Sequence, residues 1–88
     1  MLYNIIYDIK DKQREDSFVA ALKGMGESIL SFVGCWFIDT EKQKNDIYNI
    51  LKPLTDNADL FYISKVKLKD MSGWLPSNTV SWLTNHPE

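Results

Sequence analysis

Asp8 closes an apolar run, Leu2-Tyr3-Asn4-Ile5-Ile6-Tyr7-Asp8-Ile9, directly before a charged segment. A carboxylate at such a strand end can help to hold a hard cation. Mg2+ usually takes one or two carboxylates and keeps several waters, so two Asp8 side chains facing each other across a two-fold axis could share Mg2+ or Mn2+. The same carboxylate can instead cap the following turn or pair with Lys10, Lys12 or Arg14. Farther along, Lys65, Lys67 and Lys69 alternate, which on a strand sets their ammonium groups ~6.8 Å apart on one side. That spacing resembles successive phosphates and would give salt-sensitive contact with nucleic acid. Lysines on an edge strand also serve simply to discourage aggregation.

The remaining chemistry-bearing residues narrow the field. Trp36, Trp74 and Trp82 could stack nucleobases, but no basic residue is interleaved with Trp36 and the other two flank a helical segment, so they read as core or interface anchors. Cys35 has no basic neighbour in sequence and reads as a small buried hydrophobe. His86 stands near a terminus expected to fray. Ser17, Ser31, Ser64 and Ser77 lack a nucleophile-elbow context, and there is no glycine-rich phosphate loop, which removes hydrolase, kinase and dinucleotide-binding readings. With Cys35 and His86 as the only Cys and His, a four-ligand structural zinc site cannot be assembled and no intrachain disulfide can form.

The elements that must position Asp8 and the lysines fit in one small domain. The chain has 88 residues, 44% hydrophobic, with a formal charge of −2. The expected division is a core over residues 1–69 and an extension with a short helix over 70–88. A pI near 5.3 is unlike the strongly basic character of most nucleic-acid binders, so any phosphate contact must be local. Met1–Ile9 lacks the build of a signal peptide and no apolar run approaches a membrane span, so the expected location is cytoplasmic and away from membranes.

Leu2–Ile9 alternates as a strand, with Tyr3, Ile5, Tyr7 and Ile9 on one face and Leu2, Asn4, Ile6 and Asp8 on the other. Lys10–Asp16 is a charged connector leading into a helix. Phe18, Leu22 and Met25 give that helix its apolar stripe, and Gly24 and Gly26 stop it. Ser28–Asp39 is β-rich and is expected to split near Val33 and Gly34 into two strands meeting at a sharp turn or bulge, with a continuous bent strand as the alternative. Thr40 and Gln43 have the spacing of a capping box, followed by Ile47, Ile50, Leu51 and Leu54 on a second helix that ends around Pro53. Leu60–Leu68 is the last strand. Ser77 is expected to cap a final helix with Val80 and Leu83 inward and Trp82 toward a flank.

This order predicts an α+β, ferredoxin-like βαββαβ sandwich with a C-terminal extra helix, in which two helices cover one sheet face. The other face, with Leu2 and Ile6, is left to be covered by a second copy in a homodimer, and the appended segment from Trp74 to His86 could also cover an edge or clasp the partner. The Leu-Tyr-Asn-Ile-Ile-Tyr-Asp-Ile opening, the helix ending Ala-Leu-Lys-Gly-Met-Gly and the following Cys-Trp-Phe resemble the small CRISPR-associated Cas-two-type proteins and their VapD-like and SinR-like relatives. The resemblance implies a ferredoxin-like homodimer. It also implies that Asp8, which matches the Tyr-Asp at the end of the family's first strand, holds a divalent metal between protomers for phosphodiester cleavage. Gly73-Trp74-Leu75-Pro76 and the helix after it look closer to the SinR-like branch.

Two functions follow as expectations. One is a non-catalytic structural or interaction module that presents its edges and tryptophans to a protein partner. The other is a metal-dependent endonuclease acting on RNA or DNA through paired Asp8, with Lys65 or Lys67 near the phosphate.

Overall fold

A computed structural model describes residues 1–86. Strand β1 (Leu2–Asp8) lies at the centre of a four-stranded sheet, between β3 (Cys35–Asp39) and β4 (Leu60–Lys65), with β2 (Glu27–Phe32) outside β3. Every neighbouring pair is antiparallel. Helices α1 (Lys12–Lys23) and α2 (Lys44–Leu51) pack on one face of the sheet. The strand order β2-β3-β1-β4 with these two helices is compatible with a ferredoxin-like fold. Helix α3 (Ser77–Thr84) lies on the other face.

The alternation in β1 sorts its residues as expected. Tyr3 and Ile5 are buried beneath Phe18 and Leu22 of α1 and Ile47 and Leu51 of α2, together with Trp36 and Ile38 of β3. Tyr7 and Ile9 flank the same cluster. Phe18 carries the aromatic packing, with its ring centroid 5.0 Å from Tyr7 and 5.4 Å from Phe61. Helix α1 starts inside the charged run rather than after it, because Asp11 accepts from the Arg14 amide at 3.0 Å and caps the first turn.

The expected split near Val33 and Gly34 is a hairpin. Gly34 has φ +75°, and a Cβ there would stand 2.6 Å from the Tyr7 carbonyl oxygen. The close approach exists because the Gly34 carbonyl accepts from the Tyr7 amide at 2.9 Å, extending the β1–β3 ladder past its last strand pair. Just before the turn, the β2–β3 register shifts between Leu30 and Phe32, so that Phe32 instead of Ser31 stands opposite Cys35. This bulge turns Phe32 to the face away from α1 and α2.

Four expectations need correction. Helix α2 begins at Lys44, and Thr40 does not cap it: the Thr40 hydroxyl donates to the Met25 carbonyl at 2.7 Å, and Asp46 accepts from the Gln43 amide at the actual start. Strand β4 ends at Lys65, because β1 runs out at Leu2, whose carbonyl takes the Val66 amide as the last bond. Lys67 therefore lies in a loop and Lys69 in a single 3-10 turn, Leu68–Asp70, and the three lysines form no strand stripe. Pro76, not Ser77, is the residue that precedes α3, and Thr79 and Leu83 face inward while Val80 is half-exposed. Thr79 is turned inward by a hydrogen bond to Ser31, at 3.3 Å.

The fourth correction matters most. The sheet face expected to lie bare is half covered by the chain itself. Leu83 of α3 packs with Leu2 and Phe37, and Val66, Leu68, Met71, Leu75 and Trp82 close around them. Pro87 and Glu88, the end of the expected extension, lie outside the described residues. Among the described residues, no helix is long and apolar enough to cross a membrane.

Replacing Gly34 tests the hairpin. Gly34→Ala places a Cβ at positive φ against the Tyr7 carbonyl and should lower stability by about 2 kcal/mol, read as a fall in the urea midpoint with an unchanged slope.

Candidate functional site

Asp59 organises the end of the sheet that carries Asp8. Its side chain is inaccessible to solvent and accepts four hydrogen bonds, from the Lys10 amide at 2.9 Å, the Asp56 amide at 2.8 Å, Arg14 Nε at 2.9 Å and Arg14 Nη2 at 3.1 Å. The two guanidinium contacts form the bidentate geometry in which an arginine holds a carboxylate most firmly. Arg14 and these amides keep the Asp59 carboxyl well below its ordinary value of 3.8. The connector after β1, the first turns of α1 and the entry to β4 are thereby tied to one buried charge. Nothing in the Thr-Asp-Asn-Ala-Asp run around Asp59 distinguishes it from an ordinary polar turn, and sequence reasoning passed over it.

Asp8 lies at the end of β1 opposite Leu60, on the sheet face away from α1 and α2. Its carboxylate is exposed and bonded to Lys10 Nζ at 2.7 Å. Lys10 is in turn fixed through its backbone by Asp59, so the ion pair has a defined anchor on one side. A single chain does not build a metal centre here. Asp8 offers one carboxylate already engaged by a cation, and no group of three or more His, Cys, Asp or Glu side chains suited to a metal occurs among the described residues.

Lys65, Lys67 and Lys69 surround one shallow concavity of about 570 Å3, despite having left the strand. They are not brought to Asp8. Lys65 pairs with Tyr3 while Asp8 pairs with Leu60, which separates the two ends of β1 by about 17 Å at strand spacing. Within one protomer, neither Lys65 nor Lys67 can therefore serve a phosphate held at Asp8.

The three tryptophans take three different roles. Trp36 is core, with its indole nitrogen buried beside the Tyr7 hydroxyl. Nearby, the Tyr7 hydroxyl donates to Glu15 at 3.2 Å, and burial pushes the Tyr7 phenol above its ordinary value. Trp82 stacks on His86 with centroids 4.0 Å apart. The imidazole is also bonded to the Trp82 carbonyl and to Glu27 of β2, and these two acceptors raise its pKa. His86 is thus a tie between α3 and β2 instead of a frayed end. Trp74 alone projects from the protein and is 98% exposed. Cys35 is buried as expected and accepts from Asn4 Nδ2 at 3.4 Å.

Beside α3, the half of the sheet face that the extension leaves uncovered carries an apolar row. In register across the sheet stand Phe32 of β2, Cys35 of β3, Ile6 of β1 and Tyr62 of β4, with Leu60 opposite Asp8 in the next row. Phe32, Leu60 and Tyr62 are 55%, 68% and 56% exposed, and Val33 at the hairpin tip is 93% exposed. The row runs into an apolar cavity of about 410 Å3 between the sheet and the extension, which Ile6 and Phe32 also line.

The chain is similar to the crystal structure of a hypothetical protein, TT1823, from Thermus thermophilus, with a TM-score of 0.62 and 24% identity over 85% of this chain and 93% of that one. This likeness supports the small α+β fold. No protein-family model matches the chain, and no curated protein matches it.

Asp59→Asn should lower the melting temperature by roughly 5 °C or more, since Arg14 loses its buried, bidentate partner and keeps only the more distant Asp56 at 3.8 Å. A carboxyl whose folded pKa is depressed stabilises the fold above its unfolded value, and that contribution disappears as pH falls through and below about 4. Wild type should therefore lose stability on acidification more steeply than Asp59→Asn, as followed by thermal melts between pH 6 and pH 2.

Proposed function

We propose that the protein is a homodimeric interaction module without catalytic activity of its own, in which the uncovered half of the sheet joins two copies. The observation that carries this reading is the four-strand apolar row from Phe32 through Cys35 and Ile6 to Tyr62, bordered by exposed Leu60 and Val33. Contiguous apolar surface rimmed by charge is the ordinary mark of a protein contact. A domain of this size also gains from association, because it buries only about 60–65% of the surface its unfolded chain exposes. The ferredoxin-like arrangement and the family resemblance support the homodimeric part of this reading. The paired faces leave the α1–α2 layer for a further protein partner.

Leu60→Glu combined with Tyr62→Glu should convert a dimer to a folded monomer in sedimentation equilibrium, with the circular dichroism spectrum retained. Dimerisation unchanged by the double substitution would show that another surface makes the contact.

One observation favours a second reading, a metal-dependent endonuclease. Asp8 stands on the same sheet face as the apolar row and next to Leu60, so a two-fold contact through that face would bring two Asp8 carboxylates toward each other. Such a pair could hold Mg2+ or Mn2+ and would have to displace Lys10 to do so. On this reading, purified protein cleaves RNA or DNA only with the metal added, and Asp8→Ala abolishes cleavage while the dimer persists. Cleavage that survives Asp8→Ala would remove this mechanism.

A further inference from the structure

We infer that Trp74 of each copy fills the cavity of the other, so that two copies exchange one tryptophan each. This rests on the homodimeric reading above and names the side chain that anchors it. The cavity of about 410 Å3 lies between the sheet and the extension, over Asn4, Cys35 and Phe37, and is walled by Met71, Leu75 and Leu83. It is large enough to take an indole, and its lining is mostly apolar.

The chain's own Trp74 does not occupy it. Gly73 and Leu75 both line the cavity, whereas Trp74 between them is turned outward and 98% exposed. A large aromatic left wholly in water forgoes about 2–3 kcal/mol of burial, and tryptophan is enriched among the anchors of interfaces. The sequence thus places an unburied anchor at the rim of an unfilled apolar hole. In a two-fold contact, residue and receptor are exchanged reciprocally. An axis passing beside the rim therefore sets each Trp74 at the mouth of the other copy's cavity.

The area is also appropriate. At roughly 150–250 Å2 for each large aromatic, Trp74 with Phe32, Tyr62, Leu60 and Val33 presents an apolar surface on the order of 700 Å2, near the ~800 Å2 that each partner gives to a standard interface. Ile6 and Phe32 belong both to the apolar row and to the cavity lining, so the two form one continuous surface.

Asn4 adds a reason for tryptophan over another aromatic. Asn4 lines the cavity, and its Nδ2 donates to the Trp36 carbonyl at 2.9 Å and to Cys35 Sγ, which leaves Oδ1 as the acceptor of the side chain. An incoming indole N–H can donate to it, a bond that phenylalanine cannot make.

The test compares full-length wild type, Trp74→Ala, Trp74→Phe and Val80→Trp by sedimentation equilibrium and tryptophan fluorescence. Val80 lines the cavity and is half-exposed, so the larger side chain fills the cavity from its own chain. Trp74→Ala and Val80→Trp should each raise the dimer Kd by about 30-fold or more, with Trp74→Phe in between. Diluting wild type through its Kd should shift its emission to longer wavelength, and this shift should be absent in Trp74→Phe. Saturating 3-methylindole, an indole probe, should dissociate wild-type dimers. A wild-type dimer whose Kd is unchanged by Trp74→Ala and by Val80→Trp would overturn the exchange and leave the homodimer standing. A wild-type chain that stays monomeric at millimolar concentration would overturn both.

Discussion

The buried carboxylate of Asp59 is the constraint on which one end of this molecule depends. A desolvated charge is tolerated only when its lone pairs are satisfied, and here two backbone amides and the guanidinium fork of Arg14 satisfy them. Because these donors come from the β1–α1 connector, from α1 and from the turn before β4, the charge also sets where those segments meet. The start of β4 is fixed against the end of β1, which places Leu60 opposite Asp8 and Tyr62 opposite Ile6. The apolar row and the Asp8–Lys10 pair are therefore downstream of an interaction on the far side of the same loop.

The second constraint is the division of labour between the two sheet faces. On one side the odd-numbered residues of β1 meet α1 and α2 and form the main core. On the other, the C-terminal extension folds back through Leu83, the Thr79–Ser31 bond and the His86–Glu27 contact, covering β2 and β3 near Leu2 and Phe37. Tyr62 and Leu60 stay exposed beyond its described residues. The uncovered part is consequently bounded on one side by the molecule's own tail, and the cavity marks the line where cover by the same chain stops.

Much of the architecture was legible in the sequence because it rests on local pattern. Period-two alternation in Leu2–Asp8, apolar spacing at Phe18 and Leu22 or Ile47 and Leu51, and Gly34 at a turn each express a preference within a few residues. Asp59, the path of Met71–Leu75 and the fate of Lys67 and Lys69 were not legible, because each is decided by a partner far along the chain. Lys67 and Lys69 alternate as strand residues do, yet no neighbouring strand remains to pair with them after Leu2. Of the candidate residues, Asp8 was correctly placed on the face away from the helices, while its distance from Lys65 emerged only from the antiparallel register.

The bulge in β2 lets one strand end serve the same sheet face twice. One residue inserted before the hairpin is enough to carry Phe32 from the helix side of the sheet to the opposite side. Ser31 therefore bonds Thr79 of the extension while Phe32, next in sequence, joins the exposed row on the same face. A strand of strict alternation could offer only one of the two to that face, so attachment of the tail and composition of the exposed row are set by adjacent residues without any side chain of the main core taking part.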